Sequence, residues 1–392
     1  MKKILFFITD NYPFGHGESF IENEIDYLSQ SFKRVFIISK NINDKQTRKV
    51  PKNCEVFRIK KSYKNLLNVF RDKNYLMDFI KNFDLKNLKK LISFQYYSKL
   101  IENNVLKIID LKNLNKEEIT FYSYWFYNGA YTGSILKRKN IVSKVISRAH
   151  RYDLYLEENY QPFKNEILQC LDALLACSKE GEEYLKKYYS KYTDKIKYSY
   201  LGTVNKKKLE FEEKENIIVS CSYLVKVKRV ELIIEALSQV KDKNILWYHL
   251  GNGILEKNIK KLAKEKLKNI SYEFIGQIKN EEVLNFYRNK KVKCLINLSS
   301  SEGLPVSMME AQSFGIPIIA TNVGGVSEIV NKKTGILLSD NPKIDEIVKA
   351  IDKIFDLSKE DYKKYEENSY NNWKIFFNAE NNYKNFIERY LL

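Results

Sequence analysis

The chain has 392 residues, a hydrophobic fraction of 44% and a formal net charge of +18, which at roughly 100–200 residues per domain points to two soluble domains, and no apolar run approaches the ~18 residues of a membrane span. Five scattered cysteines without a C-x-x-C pair exclude a disulfide framework and fit a reducing compartment. The absence of a Cys/His finger and of an aromatic-glycine RNA signature argues against nucleic acid, and the charge is left to an anionic membrane surface, phosphorylated small molecules or a merely solvated Lys- and Asn-rich surface.

The opening MKKILFFITDNYPFG has an apolar run only from Ile4 to Ile8 and no small-residue cleavage site, so it reads as a first strand and the protein is expected in the cytoplasm. From there short apolar runs alternate with segments of helical period. ILFFIT (4–9), VFIIS (35–39), VFRI (56–59), EITFYSY (118–124), KVISRA (144–149) and DALLACS (172–178) read as strands, and FIENEIDYLSQ (20–30) as a helix. Residues 60–116 form a helical insertion with 13 Lys/Arg against 5 Asp/Glu. Within it LKNLKKLISFQYYSKLIENNVLKII (85–109) sets Leu85, Leu88, Leu91, Ile92 and Phe94 near Lys86, Lys89 and Lys90, a basic amphipathic pattern. Such a helix packs on its own domain or lies on a membrane.

A polar stretch near 201–216 marks a seam, after which the pattern restarts. NIIVSCS (216–222), NILWYHLG (244–251), SYEFIG (271–276), VKCLINL (292–298), PIIAT (317–321) and GILLSD (335–340) are a second strand set, with helices in VKRVELIIEALSQV (227–240) and EEVLNFYRN (281–289). Strand–helix alternation predicts parallel α/β sheets, which bind ligands beyond the carboxyl ends of their strands. Two such sheets face to face would leave a cleft between domains.

The densest segment is SSSEGLPVSMMEAQSFGIPIIATNVGGVSEIV (299–330). Its loop should follow a strand ending near Leu298. Pro305 suits the first turn of a helix, which would run to Phe314 and stop at Gly315. Glu302 then sits in the loop and Glu310 inside the helix, while N–H groups at Gly303, Leu304 and Val306 offer an anion cradle. Read from the residues alone, this is either a capped helix with one exposed acid or a site for a ligand with phosphate in its middle and hydroxylated rings at each end.

Two Glu separated by seven residues, a G-x-P strand and a GG-x-x-E turn resemble the donor-site signature of retaining, nucleotide-sugar-dependent glycosyltransferases of family 4. The resemblance implies an α/β chain of GT-B fold, two Rossmann-like domains facing each other across a cleft. It places an acceptor domain at 1–202, carrying the 60–116 insertion, a donor domain at 203–374, and a C-terminal helix at 375–392 that crosses back. CSYLVKVKRVELIIEAL (221–237) is similar to the segment whose Arg and Lys hold the donor diphosphate: Lys228 matches the Lys, Tyr223 stands where the Arg would be, and Arg229 lies beside it. YHLGNGILEKNIKKLA (248–263) resembles a G-x-G turn with Gly251 and Gly253, the alternative being plain loop shaping; YEFIGQIKNEEVLNFYRN (272–289) resembles the base-pocket segment with Gly276 and Gln277. TDNYPFGHGESFIENEI (9–25) resembles the acceptor loop with Gly15, Gly17 and Glu18, and SRAHRYDLYLE (147–157) the loop bearing His150 and Asp153.

The resemblance assigns roles. Lys228 and the helix start at Gly303, Leu304, Pro305 and Val306 would stabilise the departing diphosphate. Glu302 would hold the transferred sugar, Glu310 the ribose, and His150 the sugar or the acceptor. No metal or other cofactor is implied. The expected partners are a nucleotide-sugar, taken as a UDP-sugar, and a glycan or lipid-linked acceptor of bacterial surface polysaccharide. An anionic membrane surface on the inner face of the cell membrane is a further expected partner. The alternative is a non-catalytic sugar- or nucleotide-binding subunit of the same fold, which Tyr223 keeps open.

Overall fold

Every residue of the strand Ile4–Thr9 (β1) is buried, as expected of a strand in a parallel sheet covered on both faces. The computed structural model describes residues 4–15, 17–61, 68–205, 215–241 and 243–392. His16, part of the 60–116 insertion and most of the 201–216 seam lie outside them. The chain divides into one unit of Met1–Tyr200 with Glu380–Leu392, and a second of Leu201–Ala379.

In the first unit β1 is joined by Arg34–Ser39 (β2), Cys54–Arg58 (β3), Ile119–Ser123 (β4), Lys144–Ala149 (β5), Ala173–Ala176 (β6) and Ile196–Tyr198 (β7). They form one sheet in the order β3-β2-β1-β4-β5-β6-β7, with every pair parallel. Alternation along β1 splits the core in two. Ile4, Phe6 and Ile8 join the helices Leu88–Lys112 and Asn128–Arg138 on one face. Leu5 and Phe7 join Ile21, Ile25 and Leu28 on the other, together with Phe386, Ile387 and Leu391 from the chain's end. Phe386 lies 5.3 Å from the Tyr122 ring. The short edge strand β7 has no counterpart in the sequence reading. The single helix expected over 20–30 is broken into a 3-10 turn at Ser19–Asn23 and a helix at Ile25–Ser31.

The described part of the insertion contains the helices Lys73–Lys81 and Leu88–Lys112. Leu91, Phe94, Leu100, Ile101 and Val105 of the longer one are buried in the first core, so this helix packs on its own unit. It is also tied there by charge. Lys99 and Lys139 alternate with Asp72 and Glu102 in a four-membered ring, with Nζ–O distances of 2.7 and 2.8 Å from Lys99 and 2.5 and 2.6 Å from Lys139. Burial opposes ionisation of Asp72, but hydrogen bonds from Lys139 and Lys99 hold its carboxyl down to about 2. Nearby, Asp78 accepts both terminal nitrogens of Arg138 and the Tyr131 hydroxyl.

The second unit repeats the scheme with Ile217–Cys221 (β8), Leu246–Leu250 (β9), Ser271–Gly276 (β10), Cys294–Asn297 (β11), Ile318–Thr321 (β12) and Gly335–Leu338 (β13). Their order is β10-β9-β8-β11-β12-β13, again parallel throughout. The helices Val230–Leu237, Glu256–Lys266 and Ile344–Phe355 cover one face through Ile233, Ile234, Ile259, Ile347 and Ile351. The unit's first and last segments are bonded to one another: Thr203 N–H donates to Phe377 O at 2.9 Å, and Ala379 N–H to Thr203 O at 3.1 Å. A Cβ on Gly202 would stand 2.4 Å from Ala379 Cα, so only glycine allows this approach.

Glu102→Ala removes one acid of the buried ring and leaves Lys99 and Lys139 to share Asp72 alone. Breaking a buried pair in this way costs about 3–5 kcal/mol. Thermal unfolding should show the first unit melting earlier, with the second unit's transition in place; an unchanged melting profile would contradict the packing described.

Candidate active site

Parallel strands deliver their carboxyl ends to one edge of a sheet, so the loops leaving β8, β9, β10 and β11 meet there. The loop after β8 runs through Tyr223, half exposed at 49%, into a 3-10 turn at Lys226–Lys228. Ser300 N–H donates to Val227 O at 2.8 Å, which fastens this turn to the loop after β11. Across that seam Lys228 Nζ lies 2.5 Å from Glu302 Oε1. The same oxygen accepts from Ser299 Oγ at 2.6 Å and faces Asn297 Nδ2 at 3.3 Å. Glu302 is thus buried and held by three donors, and half-buried Lys228 points at it.

Arg229 is the C-cap of the 3-10 turn, with a left-handed backbone of φ 45°. Its guanidinium donates to the carbonyls of Leu298 at 2.6 Å, Ser299 at 3.0 Å and Asp340 at 2.8 Å. Those bonds make Arg229 a clamp on the strand-end loops and occupy the side chain that the sequence placed at the donor. Pro305 is the N-cap of the helix Val306–Gln312, one position earlier and two residues shorter at its end than the sequence reading had it. Among the described residues no acceptor is recorded for the N–H of Gly303, Leu304 or Val306. Gly303 O accepts from Gly325 N–H at 2.9 Å, which brings the Gly-Gly turn beneath the loop.

Glu310 is buried on that helix and accepts from Asn280 Nδ2. Burial, and after it the Glu310 charge, push the Cys221 thiol at the end of β8 up to about 12. Gly251 and Gly276 pair across the ends of β9 and β10, N–H to O at 2.9 Å. Gly251 has φ +130°, and a Cβ there would lie 2.0 Å from Ser222 O, so its glycine is a requirement of close backbone approach. Lys228, Glu302, Arg229, Gly303–Val306, Glu310, Gly251 and Gly276 therefore all stand at one edge of the second sheet. Ser299, Asn297 and Asn280, which hold the two acids, were not singled out from sequence; Asn280 lies three residues beyond Gln277 in a segment already marked as pocket-lining.

A second cluster stands at the corresponding edge of the first sheet. Glu18, in a left-handed backbone of φ 59°, accepts from the N–H of Asp10 at 3.0 Å, Asn11 at 2.6 Å and Tyr12 at 2.5 Å, and from Trp125 Nε1. Burial and then Asp10 raise its pKa, while those donors pull it down. Asp153 accepts from the His150 N–H at 2.7 Å and the Phe126 N–H at 2.5 Å. Burial pushes Asp153 up and its neighbour Lys164 down. Both acids act as struts that shape loops. Gly15 and Gly17 are likewise tied in place: Gly15 N–H donates to Lys45 O at 3.1 Å, and Arg48 Nη1 donates to Gly17 O at 2.7 Å.

His150 differs. Its ring is boxed by Tyr124 at 4.8 Å, Trp125 at 4.9 Å and Phe20 at 5.8 Å. Its Nε2 is buried with no hydrogen-bond partner among the described residues. Burial first, and the Arg148 charge second, lower its pKa to about 3. His249, buried behind Gly251 with Nδ1 at 2.8 Å from Ser220 Oγ, is lowered by burial to about 4. Both imidazoles are neutral in the folded chain and would protonate near pH 6.5 in the unfolded one. Their stability is fully present above about pH 6.5 and is lost as pH falls toward 4 for His249 and 3 for His150. Between pH 7 and pH 5 each should cost about 2 kcal/mol. Urea midpoints at those two pH values should converge in His150→Phe and His249→Phe relative to the parent; equal pH dependence in all three proteins would contradict the buried neutral state.

Residues 203–372 match the family model Glycosyl transferases group 1. The O-antigen biosynthesis glycosyltransferase WbnH of Escherichia coli is 31% identical over 163 residues, covering 42% of this chain and 42% of that protein. The chain thus aligns with less than half the length of this curated relative. Two solved structures superpose over nearly the full length. The lipopolysaccharide outer core galactosyltransferase WaaB, in apo form, has a TM-score of 0.69 at 15% identity, covering 98% of this chain and 99% of its own. Anabaena Alr3699/HepE in complex with UDP-glucose has a TM-score of 0.69 at 14% identity, covering 98% of each chain. Residues 203–372 are accordingly similar to the glycosyl transferases group 1 family, within a chain of GT-B fold.

Proposed function

We propose that the chain is a retaining glycosyltransferase that moves a sugar from a UDP-sugar to a glycan or lipid-linked acceptor in the building of bacterial surface polysaccharide, working in the cytoplasm. The observation that carries this reading is the Lys228–Glu302 contact, 2.5 Å long, on the loops that close β8 and β11 in the region similar to the group 1 family. UDP as the carrier is supported by the UDP-glucose complex of HepE, and a surface polysaccharide by the O-antigen assignment of WbnH.

In this reading the bond from the sugar's anomeric carbon to the diphosphate oxygen breaks. A bond to the acceptor oxygen forms on the same face, and the acceptor's proton passes to the departing oxygen. The charge that develops on the diphosphate is met by the Lys228 ammonium and the N–H groups of Gly303, Leu304 and Val306, donors fixed in place before reaction. A diphosphate there would compete with Glu302 for Lys228 and turn the carboxylate toward hydroxyls of the sugar. Glu310, on the next turn of backbone, would accept from the ribose. In the first unit, neutral His150 would offer Nε2 to a hydroxyl of the acceptor. The scheme is metal-independent: the ammonium supplies the positive charge. Tyr223 supports the second reading, a non-catalytic partner subunit, because it carries no charge where the resemblance expects one.

Release of free nucleotide from a panel of UDP-, GDP- and ADP-sugars separates the two. Lys228→Ala should lower turnover by about 10²–10³-fold, and Glu310→Ala should raise the donor KM with a smaller effect on kcat. Full turnover in Lys228→Ala would refute the diphosphate role. A parent protein that binds nucleotide but releases none from any sugar conjugate, with or without a polyprenyl-linked acceptor, would favour the partner-subunit reading.

A further inference from the structure

Six large apolar side chains with more than a third of their surface exposed fall between residues 70 and 85 of the first unit: Phe70, Leu76, Met77, Ile80, Phe83 and Leu85. On the helix Lys73–Lys81, Leu76, Met77 and Ile80 are spaced to share one face. The opposite face carries buried Tyr75 and Asp78. Ile80 is 60% exposed, Phe83 56% and Leu85 76%. Phe79 braces the group from below, with its ring 5.5 Å from Phe70 and 5.9 Å from Phe83. Contiguous apolar surface of this kind marks an interaction site.

The charges sort themselves around it. Asp72 and Asp78 turn inward, to Lys99 and Lys139 and to Arg138. Asp84 caps the turn, accepting from the N–H of Lys86 at 3.0 Å and from Asn87 Nδ2 at 2.8 Å. Glu166 comes up beside Asn82, accepting from its Nδ2 at 2.9 Å. Lys73, Lys81, Lys89 and Lys90 are exposed, and none of them has an ion pair recorded among the described residues. The outer surface is therefore apolar at its centre and cationic at its rim.

We infer that this face, Leu76–Met77–Ile80 with Phe83 and Leu85 and the rim of lysines, docks the first unit on an anionic lipid bilayer. Apolar side chains would enter the interfacial layer while the ammonium groups sit at the headgroups, the two components by which peripheral surfaces bind membranes. No helix among the described residues is long and apolar enough to cross a membrane, so the contact is peripheral. The face is distinct from Leu91 and Phe94 of the longer helix, which are buried in the unit's core, the packing alternative of the sequence reading. The inference does not depend on the reaction assigned above, because binding is read without donor or acceptor.

The test is cosedimentation of the full chain with vesicles containing phosphatidylglycerol, beside vesicles of phosphatidylcholine alone. The parent should pellet with the anionic vesicles and be released by salt. Met77→Ser/Ile80→Ser/Phe83→Ser should weaken that binding by about tenfold or more with its melting temperature retained. Ile375→Ser/Phe376→Ser, which alters exposed apolar side chains of the second unit, should bind as the parent does. Lys73→Glu/Lys81→Glu should act like the triple variant at low salt. Equal pelleting of parent and triple variant, or no pelleting of the parent, would overturn the inference. So would concentration-dependent self-association in vesicle-free buffer that the triple variant abolishes, since the face would then join two copies.

Discussion

The second unit's site depends on a backbone constraint at Arg229. A left-handed residue at the end of the 3-10 turn reverses the chain and aims the guanidinium across the strand ends, where it gathers the carbonyls of Leu298, Ser299 and Asp340. Those bonds fasten the start of the loop after β11 at Leu298 and Ser299. Glu302 is brought under Lys228, and the Gly303–Val306 backbone is presented at the same edge. Arginine suits this task because its planar fork reaches several acceptors from one side chain. The neighbouring lysine, a compact charge on a flexible stem, remains half-buried beside the acid. Adjacent cations thus divide the work, one fixing the architecture and the other pairing with Glu302.

The first unit solves a parallel problem differently. Its strand-end loops are held by carboxylates rather than a guanidinium. Glu18 collects the amides of residues 10–12 and the Trp125 indole, and Asp153 collects those of His150 and Phe126. What these struts leave without a hydrogen-bond partner among the described residues is the buried Nε2 of His150, set in an aromatic box and kept neutral by burial. A neutral imidazole can give or take a hydrogen bond without bringing charge, which suits contact with sugar hydroxyls.

Much of this was legible in residue order, because parallel strands buried on both faces announce themselves as short continuous apolar runs. ILFFIT, VFIIS and NIIVSCS needed no partner to be recognised. The edge strand Ile196–Tyr198 escaped because three residues with an outward lysine carry no such run. The helix expected over 20–30 was broken because Glu18 and Glu24 answer to distant groups, Glu18 to the amides after β1 and Glu24 to the Tyr122 hydroxyl 3.0 Å away. In the site, Glu302 and Glu310 stood out from their place in the 299–330 segment, and Lys228 was named through the family resemblance. The roles of Arg229 and Asn280 could not, since a side chain's choice between a ligand and a neighbour's carbonyl or carboxylate is settled only by folding. The insertion shows the same limit: its apolar and basic residues were visible, but which of them turned inward was decided by the buried ring of Asp72, Lys99, Glu102 and Lys139.

Lys228 is the group proposed to receive a nucleotide's diphosphate. The most direct measurement is the melting temperature of the second unit with UDP, GDP and ADP, for the parent chain and Lys228→Ala, since a ligand of the folded state alone raises it. The account predicts that UDP stabilises the parent more than the other two and that Lys228→Ala loses most of that shift. Equal stabilisation of both proteins, or no shift with any of the three nucleotides, would contradict it.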